Sequence, residues 1–198
     1  PIAGFTPDCK YPVVYAERGR AVIKVKADLD HLIAFMNNYI LNTQNKGERL
    51  GIDYKNDEFG QLEIRNYHLT KEDFSFSISY PAGITLEEII DKLNRIEGYE
   101  YEVVSHFKPV YFDKKAPMVE IMKETYEYVT GNDGTPVTTT GGTYAKMMPH
   151  IVPFGPSFPG QKGIGHNPNE WMTREDLITN AKIYALTLYQ LSRKETEL

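Results

Sequence analysis

Hydrophobic and polar positions repeat with two different periods along this chain. From Ala21 to Lys26 (AVIKVK) the step is two, the spacing of a half-buried strand. From Asp28 to Ile40 the step is three and four: Leu29, Leu32, Ile33, Met36 and Ile40 share one helical face. Asp28 and Asp30 stand where the helix dipole favours negative charge, and His31 falls off the apolar stripe, as a surface residue does. Asn42 to Gly60 is polar and glycine-bearing and reads as a connection. Gln61 to Leu69 alternates imperfectly, and Asp73 to Tyr80 cleanly, with Phe74, Phe76, Ile78 and Tyr80 on one side and serines on the other. The short link Thr70–Glu72 suits an antiparallel hairpin. Thr85-Leu86-Glu87-Glu88 is a capping box and opens a helix to about Ile96, with Ile89, Ile90 and Leu93 inward and Gly98 as its stop. Tyr99 to Phe107 is a further strand. The order β-α-β-β-α-β is that of a ferredoxin-like unit, a sheet with its helices on one face.

The ends read differently. Pro12 to Tyr15 is a short buried strand after a proline-containing loop, and Arg18-Gly19-Arg20 an exposed turn. Ala116 to Thr130 is a helix with Pro117 in its first turn, Met118, Ile121, Met122 and Val129 inward, and Gly131 at its end. Thr173 caps a last helix whose apolar stripe is Leu177, Ala181, Tyr184, Ala185, Leu188 and Leu191. So apolar a helix needs a sheet to pack on, and the strand at 12–15 is too little sheet. The ends therefore read as pieces of one domain, 1–19 and 111–198, into which a unit at 20–110 is inserted. The expected fold class is α/β with an α+β insert, and the expectation is a piece of a longer chain.

Composition narrows the function classes. Hydrophobic residues at 41% and charged residues at 25% are those of a globular protein. A net charge of −5 argues against a nucleic-acid binder, and no apolar run reaches the roughly 20 residues of a membrane span. PIAGFTPDCK lacks the apolar core of a signal peptide, and the single cysteine, Cys9, fits a reducing compartment, so the expected location is cytoplasmic.

Candidate chemistry gathers in TTTGGTYAKMMPHIVPFGPSFPGQKGIGHNPNE, Thr138 to Glu170. Its glycines and prolines preclude a long helix or a central strand, and such irregular segments on rigid scaffolds carry binding groups. His166, just before a capped helix, is a metal ligand, a general base, or a solvated turn histidine. Asp8 is a turn cap or a carboxylate ligand. Cys9 has no histidine–asparagine constellation to make it a nucleophile and reads as a small packed residue. His150 lies within the segment as a lesser substrate candidate. His68 and His106 fall on strands of the insert, as structural or surface residues.

GFTPDCKYPVVYAERG, the insert, and then TTTGGTYAKMMPHIVPFGPSFPGQKGIGHNPNEWM together resemble the co-catalytic zinc exopeptidases. That clan includes bacterial Xaa-His dipeptidases, carnosinases, aminoacylases and succinyl-diaminopimelate desuccinylase, and the dipeptidase branch is the nearer match. The resemblance implies a catalytic α/β domain with two zinc ions, manganese or cobalt being the other candidates, and an inserted lid at 20–110. It implies that Asp8 binds one metal and His166 the other, and that Gly141, Gly142 and Thr143 receive the substrate carboxylate. Glu170 would orient His166 or its loop; capping the following helix is its other reading. Carboxylate oxygen and imidazole nitrogen are zinc donors, and glycines let backbone N–H groups approach an anion.

The family's remaining metal ligands and its general base lie upstream of GFTPD, so the implied partner is a missing N-terminal catalytic half, and the chain alone is expected to be inactive. The histidine-bearing segment usual between the first lid strand and helix is absent at Lys26-Ala27-Asp28-Leu29. Ser79 stands where the dipeptidase branch carries a substrate arginine. The implied substrate is a dipeptide. The alternative is a non-catalytic association module, a homodimer through the edge strands of the lid.

Overall fold

The computed structural model describes residues 3–161 and 165–193. These form two compact units. One comprises 17–110 with 140–142, and the other joins the chain's ends, 1–16, 111–139 and 143 onward.

The first unit is a sheet covered by helices. Strands Gly19–Lys26, Glu63–Leu69, Asp73–Tyr80 and Glu100–Phe107 lie in the order second, third, first, fourth along the chain, every neighbour antiparallel. This is the split βαβ order. The Asp73–Tyr80 strand has the bounds its alternation predicts, and its apolar side (Phe74, Phe76, Ile78, Tyr80) is fully buried. The imperfect alternation of its neighbour has a structural cause: Asn66 adopts φ 55° and the register shifts between Arg65 and His68.

Helix α1, Leu29–Phe35, begins on the Asp28 side chain, which accepts from the His31 N–H at 3.0 Å. It then widens by one π turn, Met36–Ile40, closed by the Leu41 N–H to the Met36 carbonyl. Phe35 packs inside with Leu32 and Ile40, whereas Leu29 and Ile33, expected inside, are exposed. Helix α2, Leu86–Leu93, carries both halves of the capping box, Glu88 N–H to Thr85 at 3.1 Å and Thr85 N–H to Glu88 at 2.8 Å. Its α-type bonds end at Asn94, and tighter turn bonds carry the chain on to Ile96, whose N–H donates to the Leu93 carbonyl at 2.9 Å.

Arg18 and Gly19 do not form an exposed turn; both are buried. Arg18 donates to the Phe59 carbonyl through Nε at 3.0 Å and Nη2 at 2.7 Å, and pairs with Glu63 at 3.3 Å. Gly19 has no side chain because the Tyr80 ring lies where its Cβ would be. Over that gap the Tyr80 hydroxyl meets His106 Nε2 at 2.6 Å, on the far side of the Gly19–Lys26 strand. Burial pushes the Tyr80 hydroxyl up to about 12. His106 is thus a structural residue.

The second unit is held by an aromatic cluster. Tyr11 stacks on Tyr126 (5.1 Å) and meets Phe154 edge-on (5.0 Å), among Val13, Met118, Val119, Met122, Val152 and Ile183. Helix α3, Pro117–Thr130, buries Met118, Ile121 and Met122 as expected, with Val129 at the margin, and stops at Gly131. The segment from Val137 to Ser157 is woven in by short ladders that fall below the length of any sequence period. Gly4–Thr6 pairs in parallel with Ile151–Pro153, and Cys9–Lys10 with Pro156–Ser157. The N-terminal strand itself is Val14–Glu17, two residues later than its apolar run suggests. Gly155 (φ +72) must be glycine, because a Cβ there would stand 2.7 Å from the Tyr184 hydroxyl and against the Tyr11 ring.

Helix α4, Arg174–Arg193, starts at Thr173, whose hydroxyl accepts from the Asp176 N–H at 3.0 Å. Its buried residues are Asn180, Ile183 and Thr187, with Tyr184 and Leu191 half-buried; Leu177, Ala181, Ala185 and Leu188, expected inside, face outward. Asn180 is the reason for the turn of the helix. Its Oδ1 accepts from Tyr11 at 2.7 Å and its Nδ2 donates to the Pro156 carbonyl at 3.2 Å, fixing that side against the cluster.

Candidate metal and substrate site

Asp8 stands between the short strands Gly4–Thr6 and Cys9–Lys10, each anchored on the glycine- and proline-rich segment. Its side chain is exposed, and its Oδ2 accepts from the Tyr144 N–H at 3.2 Å. Tyr144 opens a single 3-10 turn, Tyr144–Met147, whose cap is Thr143: the Thr143 hydroxyl accepts from the Ala145 N–H at 3.1 Å. The carboxylate is therefore held by the backbone two residues past Gly142. Gly141 and Gly142 are exposed, and the Thr143 side chain is half-buried with its oxygen in the capping bond. Cys9 is half-buried.

His166 lies in a tight turn, exposed, at φ 62°, a conformation that non-glycine residues rarely adopt. Asn167 Nδ2 closes the turn onto the Gly165 carbonyl at 2.9 Å, and Asn169 repeats the left-handed conformation. The Glu170 carboxylate reaches back over this turn. Its Oε1 is 3.6 Å from where a Cβ on Gly165 would stand, and helix α4 is capped by Thr173 instead. Such left-handed residues cluster where function over-determines the backbone. Residues 162–164, within the same motif, lie outside the described residues.

The structure ties Asp8 to the residue after Gly-Gly-Thr and places the Glu170 carboxylate near Gly165, the residue before His166. Among the described residues no group of three or more His, Cys, Asp or Glu side chains is arranged to hold a metal ion. Asp8 and His166 fit a zinc ion in kind, as carboxylate and imidazole, and fall short of its usual four ligands in number. The other histidines stand apart in character. His31 is exposed and bonded to Asp28 at 2.6 Å, where its backbone and side-chain bonds hold that carboxyl below the usual range. His68 is exposed on its strand, and His150 is exposed in a left-handed turn at φ 58°. The contact that sequence reasoning missed is the Tyr144 N–H, since a backbone donor leaves no mark in side-chain pattern.

The sequence profile of the peptidase family M20/M25/M40 matches residues 7–190. A protein of Staphylococcus aureus (strain USA300), named as a candidate dipeptidase, is 28% identical over 93% of this chain and 42% of its own length. One of Staphylococcus saprophyticus, similarly named, is 26% identical over 88% of this chain and 39% of its own. The chain thus spans about two fifths of the length of these curated relatives. Aminopeptidase PepT of Bacillus cereus superposes with a TM-score of 0.65 at 14% identity, over 97% of this chain and 58% of that one. The dipeptidase Dug1p of Saccharomyces cerevisiae does so with 0.59 at 11%, over 98% and 58%. These likenesses establish the fold, and no described helix is long and apolar enough to cross a membrane. With its profile match running through both the Asp8 loop and the His166 turn, the chain belongs to peptidase family M20/M25/M40.

Proposed function

We propose that this chain is part of a metal-dependent dipeptidase, contributing one ligand, Asp8, to one metal ion and one, His166, to a second. The observation that carries this reading is the Asp8 carboxylate, exposed yet held by the Tyr144 N–H in a profile-matched loop. That donor orients the carboxylate without burying it, which suits a ligand better than a turn cap. Zinc, or manganese or cobalt in its stead, would supply Lewis acidity and a water of lowered pKa for amide hydrolysis. The chain's own residues bind and orient. Tyr144 fixes Asp8, the Gly165–Asn169 turn presents the His166 ring, and Glu170 steadies that turn. Gly141 and Gly142 offer backbone N–H groups to the dipeptide carboxylate. Residues 20–110 act as the lid of the catalytic domain formed by 1–19 and 111–198. Its remaining ligands and general base come from the N-terminal catalytic half that this chain does not match, so the chain by itself is inactive, and the complete enzyme works in the cytoplasm.

The test is zinc binding and turnover in a complex of this chain with the unmatched part of a relative. Asp8→Asn and His166→Ala should each abolish dipeptide hydrolysis and lower the bound zinc, with the fold unchanged by circular dichroism. Full hydrolysis in Asp8→Asn removes the reading. The second reading is an association module. The Glu100–Phe107 edge strand exposes Val103, Val104 and Phe107 and has no proline, while a bulge near Val104 and the charges of Glu100 and Glu102 act against pairing. A strictly monomeric chain in sedimentation counts against it.

A further inference from the structure

The 3-10 turn beside Asp8, Tyr144–Met147, holds two large apolar side chains out in solvent. It is tied down at both ends: the Lys146 N–H donates to the Thr143 carbonyl at 3.3 Å, and the Met148 N–H to the Ala145 carbonyl at 3.3 Å. Ala145 is its buried anchor, and the turn packs against both strands of the Gly4–Thr6 and Ile151–Pro153 ladder. In a 3-10 helix, residues three apart eclipse. Tyr144 and Met147 therefore stand one above the other on one face, 67% and 66% exposed, and Met148 is exposed at the turn's end. Lys146, the turn's charged residue, falls a third of a turn off that face. The turn thus buries its smallest side chain and exposes its two largest, the reverse of what its own packing would favour.

The backbone gives that face its place. The Tyr144 N–H holds Asp8 Oδ2 at 3.2 Å, so the face begins at a hydrogen bond to the carboxylate assigned to a metal. Thr143, the residue just before it, ends the Gly-Gly-Thr segment assigned to the substrate carboxylate. In a dipeptide, the C-terminal residue spans from the scissile amide, at the metal, to the free carboxylate. Its side chain branches from between those two points, and the turn is joined to both. We propose that Tyr144 and Met147 form the surface that receives this side chain, and that the surface selects apolar ones. The inference deepens the dipeptidase reading and rests on it. Ligand sites are mostly apolar with a few placed polar groups, which is the mixture offered by this face beside Asp8. The Tyr144 ring supplies a rigid wall, and the Met147 thioether one that adapts to side chains of different shape.

The test uses the zinc-loaded complex of this chain with the unmatched part of a relative, and compares Ala-Leu with Ala-Gly. The wild-type complex should favour Ala-Leu in kcat/KM. Met147→Ser should lower the ratio of Ala-Leu to Ala-Gly about tenfold, through KM rather than kcat. Tyr144→Ala keeps the backbone N–H that holds Asp8 and should move the ratio in the same direction, with the bound zinc retained. Met147→Lys should bring Ala-Glu above Ala-Leu, a switch that loss of structure cannot produce. Calorimetry on the metal-free complex, where nothing turns over, should show the same loss of preference in Kd. A ratio indifferent to the Met147 and Tyr144 variants overturns the surface and keeps the dipeptidase reading. So does a wild-type preference for Ala-Gly or Ala-Glu. Variants that prevent the complex from forming also overturn it, since the face is then covered by the rest of the enzyme. A wild-type complex that hydrolyses no dipeptide removes the dipeptidase reading and the surface with it.

Discussion

The two units close their apolar surfaces in different ways. In the unit of residues 17–110 the centre of the sheet's inner face (Ile23, Val25, Phe74, Phe76, Ile78) is fully buried beneath α1 and α2, and only its margins, such as Leu69 and Val103, are exposed. In the unit of the chain's ends, the aromatic cluster is equally tight, but α4 keeps a second apolar face outside. The first unit is finished as a two-layer structure. The second leaves Leu177, Ile178, Leu188 and Tyr189 of α4 exposed beside a buried Ile183. Completeness of a core is therefore a local property, and substitutions of equal chemistry should have very unequal effects in the two units.

The largest effect is expected in the finished core. Phe76 is fully buried at the centre of the inserted sheet. Phe76→Ala should cost about 3–5 kcal/mol in chemical denaturation. A loss below about 1 kcal/mol, the range of exposed positions, would mean that this unit is not the closed core described. Next comes Gly19→Ala. Its methyl group would enter the Tyr80 ring and press on the Tyr80–His106 bond, so a loss of about 1–3 kcal/mol is expected in the same measurement.

These two sites also mark where sequence reading succeeds and where it stops. The Phe76 strand was readable to the residue, because alternation is imposed by a sheet with one dry face. The Thr85 capping box was readable for a similar reason, its chemistry being contained in four consecutive residues. Gly19 was misread as an exposed turn, because the ring that requires glycine there comes from a strand sixty residues later. The face of α4 was misread for the same physical reason. Hydrophobic periodicity ranks Leu177 and Leu188 above Asn180 and Thr187, yet Asn180 turns inward for two long-range hydrogen bonds. In the candidate site, resemblance supplied Asp8 and His166. No pattern supplied the Tyr144 N–H, and none marked the left-handed backbone at His166.

A smaller effect separates the units by pH. Burial pushes the Glu63 carboxyl up, but the guanidinium groups of Arg65 and Arg18 outweigh it and leave it below the usual carboxylate range. A carboxyl depressed in the folded state adds stability above its unfolded pKa, about 4.3, and loses it as pH falls through the lower folded value. The melting temperature of the wild type should therefore fall, relative to Glu63→Gln, on acidification below about pH 4. Parallel curves for the two proteins across that window would remove Glu63 as a contributor.

The smallest expected effect is the most informative about the comparison. Leu188→Gln replaces a large apolar residue on the same helix that buries Ile183, yet Leu188 is mostly exposed in this chain. Its removal leaves no cavity and strands no polar group, so stability of the chain alone should move by no more than about 0.5 kcal/mol. Ile183→Ala, five residues earlier and fully buried, should cost about 2–5 kcal/mol by the same denaturation. One helix would then show both regimes within about a turn and a half. If Leu188→Gln instead costs as much as Ile183→Ala, the outward face is already covered in the isolated chain, and the contrast between a finished and an open unit is lost. If it costs nothing while Ile183→Ala costs its full amount, burial alone separates the two faces of one helix, since both residues are apolar and of similar size.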